Sequence, residues 1–89
     1  MPNIRSAAKR VRQTEKREQR NKRIKSMVKN SIRRFEEALQ SGDDEELKVT
    51  LHQAVRQIDK AAAKGILHKN NAARKKSSLS RRFNVRATG

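Results

Sequence analysis

From Ile24 to Leu39, apolar side chains return every three or four positions, at Ile24, Val28, Ile32, Phe35 and Leu39, with Met27 beside them. That spacing puts them on one side of a helix. A second run, Leu47, Leu51, Ala54, Val55, Ile58 and Ala62, repeats the period. Each stripe is too narrow to hold a helix in water by itself, so the two are expected to pack on each other. Between them lies QSGDDEE, residues 40–46. Gly42 suits the left-handed position just beyond a helix end, and Asp43 or Asp44 suits an N-cap. The acids that follow favour the positive end of the second helix dipole. This accounts for the acidic cluster without a metal-binding or catalytic role.

Further along, Gly65 ends the DKAAAK run, and HKNN (residues 68–71) offers Asn70 or Asn71 as the start of a third helix. Its apolar face is thin: Ala72, Leu79 and Phe83, with Ile66 and Leu67 in the preceding turn. The pattern therefore predicts an all-α fold, a three-helix bundle with a long, protruding basic first helix, in a single domain over residues 1–89. Within it, residues 1–23 form a basic arm continuous with the first helix, 24–83 the bundle, and 84–89 a flexible, frayed tail.

The arm follows from a mismatch of lengths. A helix over residues 5–40 is about 54 Å long and one over 44–63 about 30 Å, so the first overhangs the second. The overhang covers residues 5–23, where RQTEKREQRNKR (12–23) contains no apolar side chain. Nothing in the chain is available to pack there. Arg12 with Lys16 and Lys16 with Arg20 are like-charge pairs at four-residue spacing, against one favourable pair, Glu18 with Lys22, so the free overhang is expected to fray. Its bases, Arg10, Arg12, Lys16, Arg17, Arg20, Lys22 and Arg23, point in several directions. A helix positive on nearly all sides is best satisfied when surrounded by phosphate.

Charge extends this picture to the other end of the chain. The 24 Lys and Arg outnumber the 9 Asp and Glu, for a net charge of +15. They fall in blocks: residues 1–34 carry 13 bases and 2 acids, residues 35–63 carry 3 and 7, and residues 64–89 carry 8 and none. Both ends suit an anion, and the middle does not. A polyanion is the default partner for such a chain. The chain has no cysteine, hence neither a disulfide framework nor a thiolate metal site, which suits a reducing cytosol. The longest apolar run is Ala61 to Ala63, too short for a membrane span or a signal-peptide core. Residues 4–12 have a transit-peptide composition, but the basic pattern continues well past them, which makes them part of the mature protein.

Nucleic acid outranks other anions. A helix lying on a membrane needs a strong apolar face, and residues 5–23 offer only Ala7, Ala8 and Val11. An acidic protein partner seldom calls for so much charge at both ends. The only aromatic residues are Phe35 and Phe83, the former inside an apolar stripe, so there is no stacking platform for unpaired bases. Folded, double-helical nucleic acid read through phosphate and shape fits better, with Asn3, Ser6, Gln13, Asn21, Asn70 and Asn71 as neutral hydrogen-bonding groups. A basic-zipper reading fails on length, because the stripe from Ile24 to Leu39 covers little more than two heptads before Gly42. A general nucleic-acid-binding or DNA-compacting role stays open as the alternative. An enzyme is excluded by the lack of a Gly-rich phosphate loop, of Cys and Tyr, and of any strand pattern to present a nucleophile. His52 is a helix-flank residue. His68, in a basic turn, either bonds a phosphate or caps the third helix.

The segments PNIRSAAKRVRQTEK (2–16), NKRIKSMVKNSIRRFEEAL (21–39), the turn SGD, and IDKAAAKGILHKNNAARKKSSL (58–79) resemble the bacterial ribosomal protein twenty family of the small subunit, over about residues 2–82. KGILHKNNAARKKS is the most specific part. The resemblance implies a three-helix bundle that binds 16S ribosomal RNA directly and early in assembly, at the RNA's 5′ domain and long penultimate helix. It also implies a monomer within the cytoplasmic ribosome, with no cofactor and no small-molecule substrate. Position in the matching motifs carries RNA contact to Asn3, Ser6, Lys9 and Arg10, to Lys16, Arg17, Arg20, Arg23 and Lys25 along the arm, and to Lys64, His68, Lys69, Asn70, Arg74 and Lys75. Ala8 stands where the family often has a base, and SRRFNVRATG after Leu79 fits no strong family pattern, which leaves the roles of Arg81, Arg82 and Arg86 open.

Overall fold

The structure, a computed structural model, describes residues 4–88, with side chains over residues 7–86. It contains α1 (Ile4–Ser41), α2 (Asp44–Ala63) and α3 (Lys69–Thr88), and no strand among the described residues. The all-α bundle with a long first helix is therefore what forms. The α1–α2 connection is only Gly42 and Asp43, which folds the two helices back on each other. Gly42 has φ +85° and donates to the Ala38 carbonyl at 3.3 Å, closing α1 with a left-handed cap. Of the two candidate N-caps for α2 it is Asp43 that serves, its Oδ1 accepting from the Glu45 and Glu46 amides. Asp44, Glu45 and Glu46 occupy the first turn, beside the positive end of the dipole.

The end of α2 is a full Schellman motif. Gly65, at φ +73°, donates to the Ala62 carbonyl and Ile66 to the Ala61 carbonyl. The chain turns back over the pair and α3 begins at Lys69, one or two residues earlier than expected. His68, rather than Asn70 or Asn71, stands at the cap: its Nδ1 accepts from the Asn70 amide at 3.1 Å, and its carbonyl accepts from the Ala72 amide. At its other end α3 runs on through residues 84–88, which the apolar pattern places outside the bundle. There Arg86 reaches across to donate to the Leu39 carbonyl near the end of α1. A Cβ on Gly42 would lie 3.1 Å from that guanidinium, a second reason for glycine there.

Phe35, Leu47, Ile58 and Leu79 are the largest fully buried side chains, joined by Val28, Ala38, Ala54, Ala61 and Ala72. Ile24, Ile32, Leu39, Leu51, Ala62, Leu67 and Phe83 pack around them half-buried. Both predicted stripes thus form the core, except that Val55 is half-buried outside it. Met27 is not part of it: at 45% exposure it faces out beside the stripe. Helix α3 is pinned across the hairpin by polar groups as well. Lys76 pairs with Asp59 of α2 at 2.8 Å, and Arg82 pairs with Glu36 of α1 at 3.3 Å while lying 5.9 Å above the Phe35 ring.

The consequence is an elongated molecule, 68 × 23 × 13 Å in extent with a radius of gyration of 17.9 Å, where a compact chain of this length would have about 12 Å. The excess length is the start of α1. Every described side chain from Ala7 to Arg20 is exposed, and burial first appears at Asn21.

Candidate nucleic-acid interface

The contacts between α3 and α1 set where the two basic blocks meet. Arg82 lies beside Glu36 and Arg86 beside Leu39, so α3 runs parallel to α1. Lys69 precedes Arg82 by about 20 Å of helix, which brings the start of α3 level with roughly residue 23 of α1. Lys64, His68, Lys69 and Asn70 therefore sit at the root of the arm. Blocks separated by some forty residues of sequence converge on one end of the molecule. The acids Glu36, Glu37 and Asp43 to Glu46 gather at the other end, around the α1–α2 turn.

The placement of each predicted contact residue follows from this. Lys9, Arg10, Lys16, Arg17, Arg20, Arg23 and Lys25 run along α1 with exposed side chains. Lys64 is the C-cap of α2, Lys69 and Asn70 form the first turn of α3, and Arg74 lies one turn on, all exposed; Lys75 is half-buried. Ser6 lies in α1 outside the described side chains, and Asn3 lies outside the described residues. The three ion pairs among the described residues use Arg33, Lys76 and Arg82, so none of these predicted contact cations is neutralised within the protein. Arg82 and Arg86 hold helices together instead, and Arg81 remains exposed.

Helix ends reinforce the polarity. The first turn of α2 carries three acids, whereas those of α1 and α3 carry none. A helix that opens on Lys69 sets a cation against its own dipole, an arrangement relieved when an anion sits between the free amides and the ammonium group. His68 contributes a second feature. Because Nδ1 accepts from the Asn70 amide, the neutral ring carries its proton on Nε2, and the exposed ring can donate from there while the cap is kept. His68→Ser should preserve α3, since Ser is also a good cap, yet weaken RNA binding several-fold. His68→Ala should in addition lower stability by about 1 kcal/mol. Circular dichroism and filter binding on both variants check this, and undiminished binding by the Ser variant would remove His68 from the interface.

No group of His, Asp and Glu side chains able to hold a metal ion occurs among the described residues, and no described helix is long and apolar enough to cross a membrane.

Comparison with known proteins decides what kind of chain carries this surface. The family model described as Ribosomal protein S20 matches residues 2–84. The chain belongs to that family. It is 60% identical over 84 residues to the small ribosomal subunit protein bS20 of Pelotomaculum thermopropionicum, covering 94% of this chain and 96% of that one. It is 57% identical to the protein of the same name from Natranaerobius thermophilus, with the same coverage. Against that from Salinispora tropica it is 50% identical, covering 92% of this chain and 93% of the other. The chain is accordingly a structural, non-enzymatic component of the small subunit of the cytoplasmic ribosome.

Proposed function

We propose that this protein binds folded 16S ribosomal RNA directly, early in assembly, and holds the 5′ domain and the long penultimate helix in place as a monomer within the subunit. The observation that carries this reading is the arm. α1 begins with a stretch whose described side chains touch no other helix and whose cations have no partner in the protein. Phosphate is the partner that satisfies it. Residues 1–23 act as the RNA-binding arm, and the bundle over 24–83 fixes the second block, Lys64 to Lys75, at the arm's root. Residues 84–88 extend α3 along the bundle and serve its packing through Arg86.

The arm lacks internal support, so ordering it is coupled to binding, and phosphate contacts offset the entropy lost. Binding is consequently steep in salt, yet selective for a target whose phosphates match the spacing of the two blocks. Competition tests the selectivity. Labelled 5′-domain transcript is challenged near physiological salt with unlabelled transcript, random-sequence duplex DNA and an unrelated folded RNA. Displacement by the ribosomal transcript at concentrations where the others have no effect is the expected result. Equal competition by all three would make the chain a general nucleic-acid-compacting polycation.

A further inference from the structure

The face of the hairpin away from α3 carries a groove that neither basic block accounts for. Its walls are Met27, Asn30, Ser31 and Arg34 of α1 and Gln53, Arg56, Gln57 and Lys60 of α2. Both sets have the spacing i, i+3, i+4, i+7, so each is one flank of its helix. At about 100° per residue, Glu36 and Leu39, which meet α3, lie on one flank of Phe35, and the groove positions lie on the other. On α2, Asp59, which pairs with Lys76 of α3, stands at the edge of the groove flank, about 60° round the helix from Arg56.

Charge complementarity tells what fits there. The groove carries three cations, Arg34, Arg56 and Lys60, all exposed and none in an ion pair, and no carboxylate lines it. The flanking acids Glu37 and Asp59 are held by Arg33 and Lys76. The amides of Asn30, Gln53 and Gln57 add neutral donors beside the cations. The same flank continues up the arm: Lys9, Lys16, Arg20 and Arg23 precede Met27, Asn30 and Arg34 at intervals of seven, four, three, four, three and four residues. One track of cations therefore runs from the arm into the groove, where α2 supplies the second wall.

We propose that the α1–α2 groove binds RNA sugar-phosphate backbone, with Arg34, Arg56 and Lys60 as phosphate contacts that extend the track of the arm. This rests on the RNA-binding reading above and adds a surface whose second wall, with Arg56 and Lys60, lies within residues 35–63, the block whose net charge is negative. Two ribs of a helical hairpin with cations on both walls suit a backbone lying along the groove, since phosphates are contacted from two sides.

The test compares two full-length variants of equal charge in titrations of the 16S transcript across a range of salt. One is Arg34→Gln, Arg56→Gln, Lys60→Gln; the other removes three exposed bases that neither line the groove nor form ion pairs, Lys29→Gln, Lys48→Gln, Arg81→Gln. The groove variant should show a salt slope lower by roughly two to three phosphates' worth and an affinity at least about tenfold below that of the control variant, with unchanged helicity. Equal losses in the two would reduce the groove to general charge and overturn the proposal. An unchanged slope in the groove variant would also overturn it and leave an acidic protein as the groove's occupant. Wild-type protein titrated in parallel with the 16S transcript and with random-sequence duplex DNA separates the two readings, because equal affinity for both overturns RNA recognition itself, whatever the groove does.

Discussion

Phe35→Ala is expected to lower the unfolding free energy by roughly 3–5 kcal/mol, among the largest single-residue effects available in this chain. The ring is fully buried at the meeting of all three helices, and its loss leaves a cavity that α1 and α2 cannot close. It also removes the aromatic face under Arg82, so α3 loses one of its attachments to α1. At about 4–8 °C per kcal/mol for a domain of this size, the midpoint of thermal unfolding should fall by at least about 12 °C. Thermal and urea unfolding followed by circular dichroism give the value. RNA binding should fall only as far as the folded fraction falls. A loss below 1 kcal/mol would mean that the three helices do not share one core.

Neutralising the arm should do the opposite. A variant with Lys16, Arg17, Arg20 and Arg23 all changed to Gln should unfold like the wild type, because these side chains are exposed and free of ion pairs. Its affinity for the 16S transcript should fall roughly a thousandfold at about 0.15 M salt, with a salt slope lower by three to four, since each phosphate contact contributes about 0.9 times the logarithm of the inverse salt concentration. Gln keeps the helix propensity, which leaves charge as the main variable. Unfolding midpoints and salt-dependent binding isotherms on the same preparations separate the two effects. Equal stability losses in the Phe35 and arm variants would refute the division between packing and phosphate contact.

How far these features are legible in the sequence depends on the physics behind each. The hairpin is legible because Ile24 to Leu39 and Leu47 to Ala62 keep the helical period, and because Gly42 and Asp43 are a strong stop and start. Ala38 and Ala61 escape notice, since a methyl group is a weak signal of burial, although small side chains there let the helices approach closely. Met27 misleads for the converse reason: it lies one flank from the stripe, and only the position of α2 shows that it faces out. The start of α3 depends on a ring nitrogen acting as a cap, which propensity for Asn does not anticipate. The helical tail depends on Arg86 reaching across to Leu39, a contact between residues far apart in sequence. Of the interface, the arm is legible as missing apolar residues, and the second block as charge and family motif. Arg34, Arg56 and Lys60 are not: they come from two segments, two of them inside an acidic block, and only the hairpin brings them together.

The start of α1, whose described side chains pack on nothing in the protein, should find its packing partner in RNA. Amide hydrogen exchange, measured residue by residue on the protein alone and with the 16S transcript, tests it most directly. Weak protection is expected across residues 8–20 in the free protein beside strong protection around Phe35 and Ile58, with a large gain across 8–20 on binding. Strong protection of residues 8–20 without RNA, or none in the complex, would contradict it.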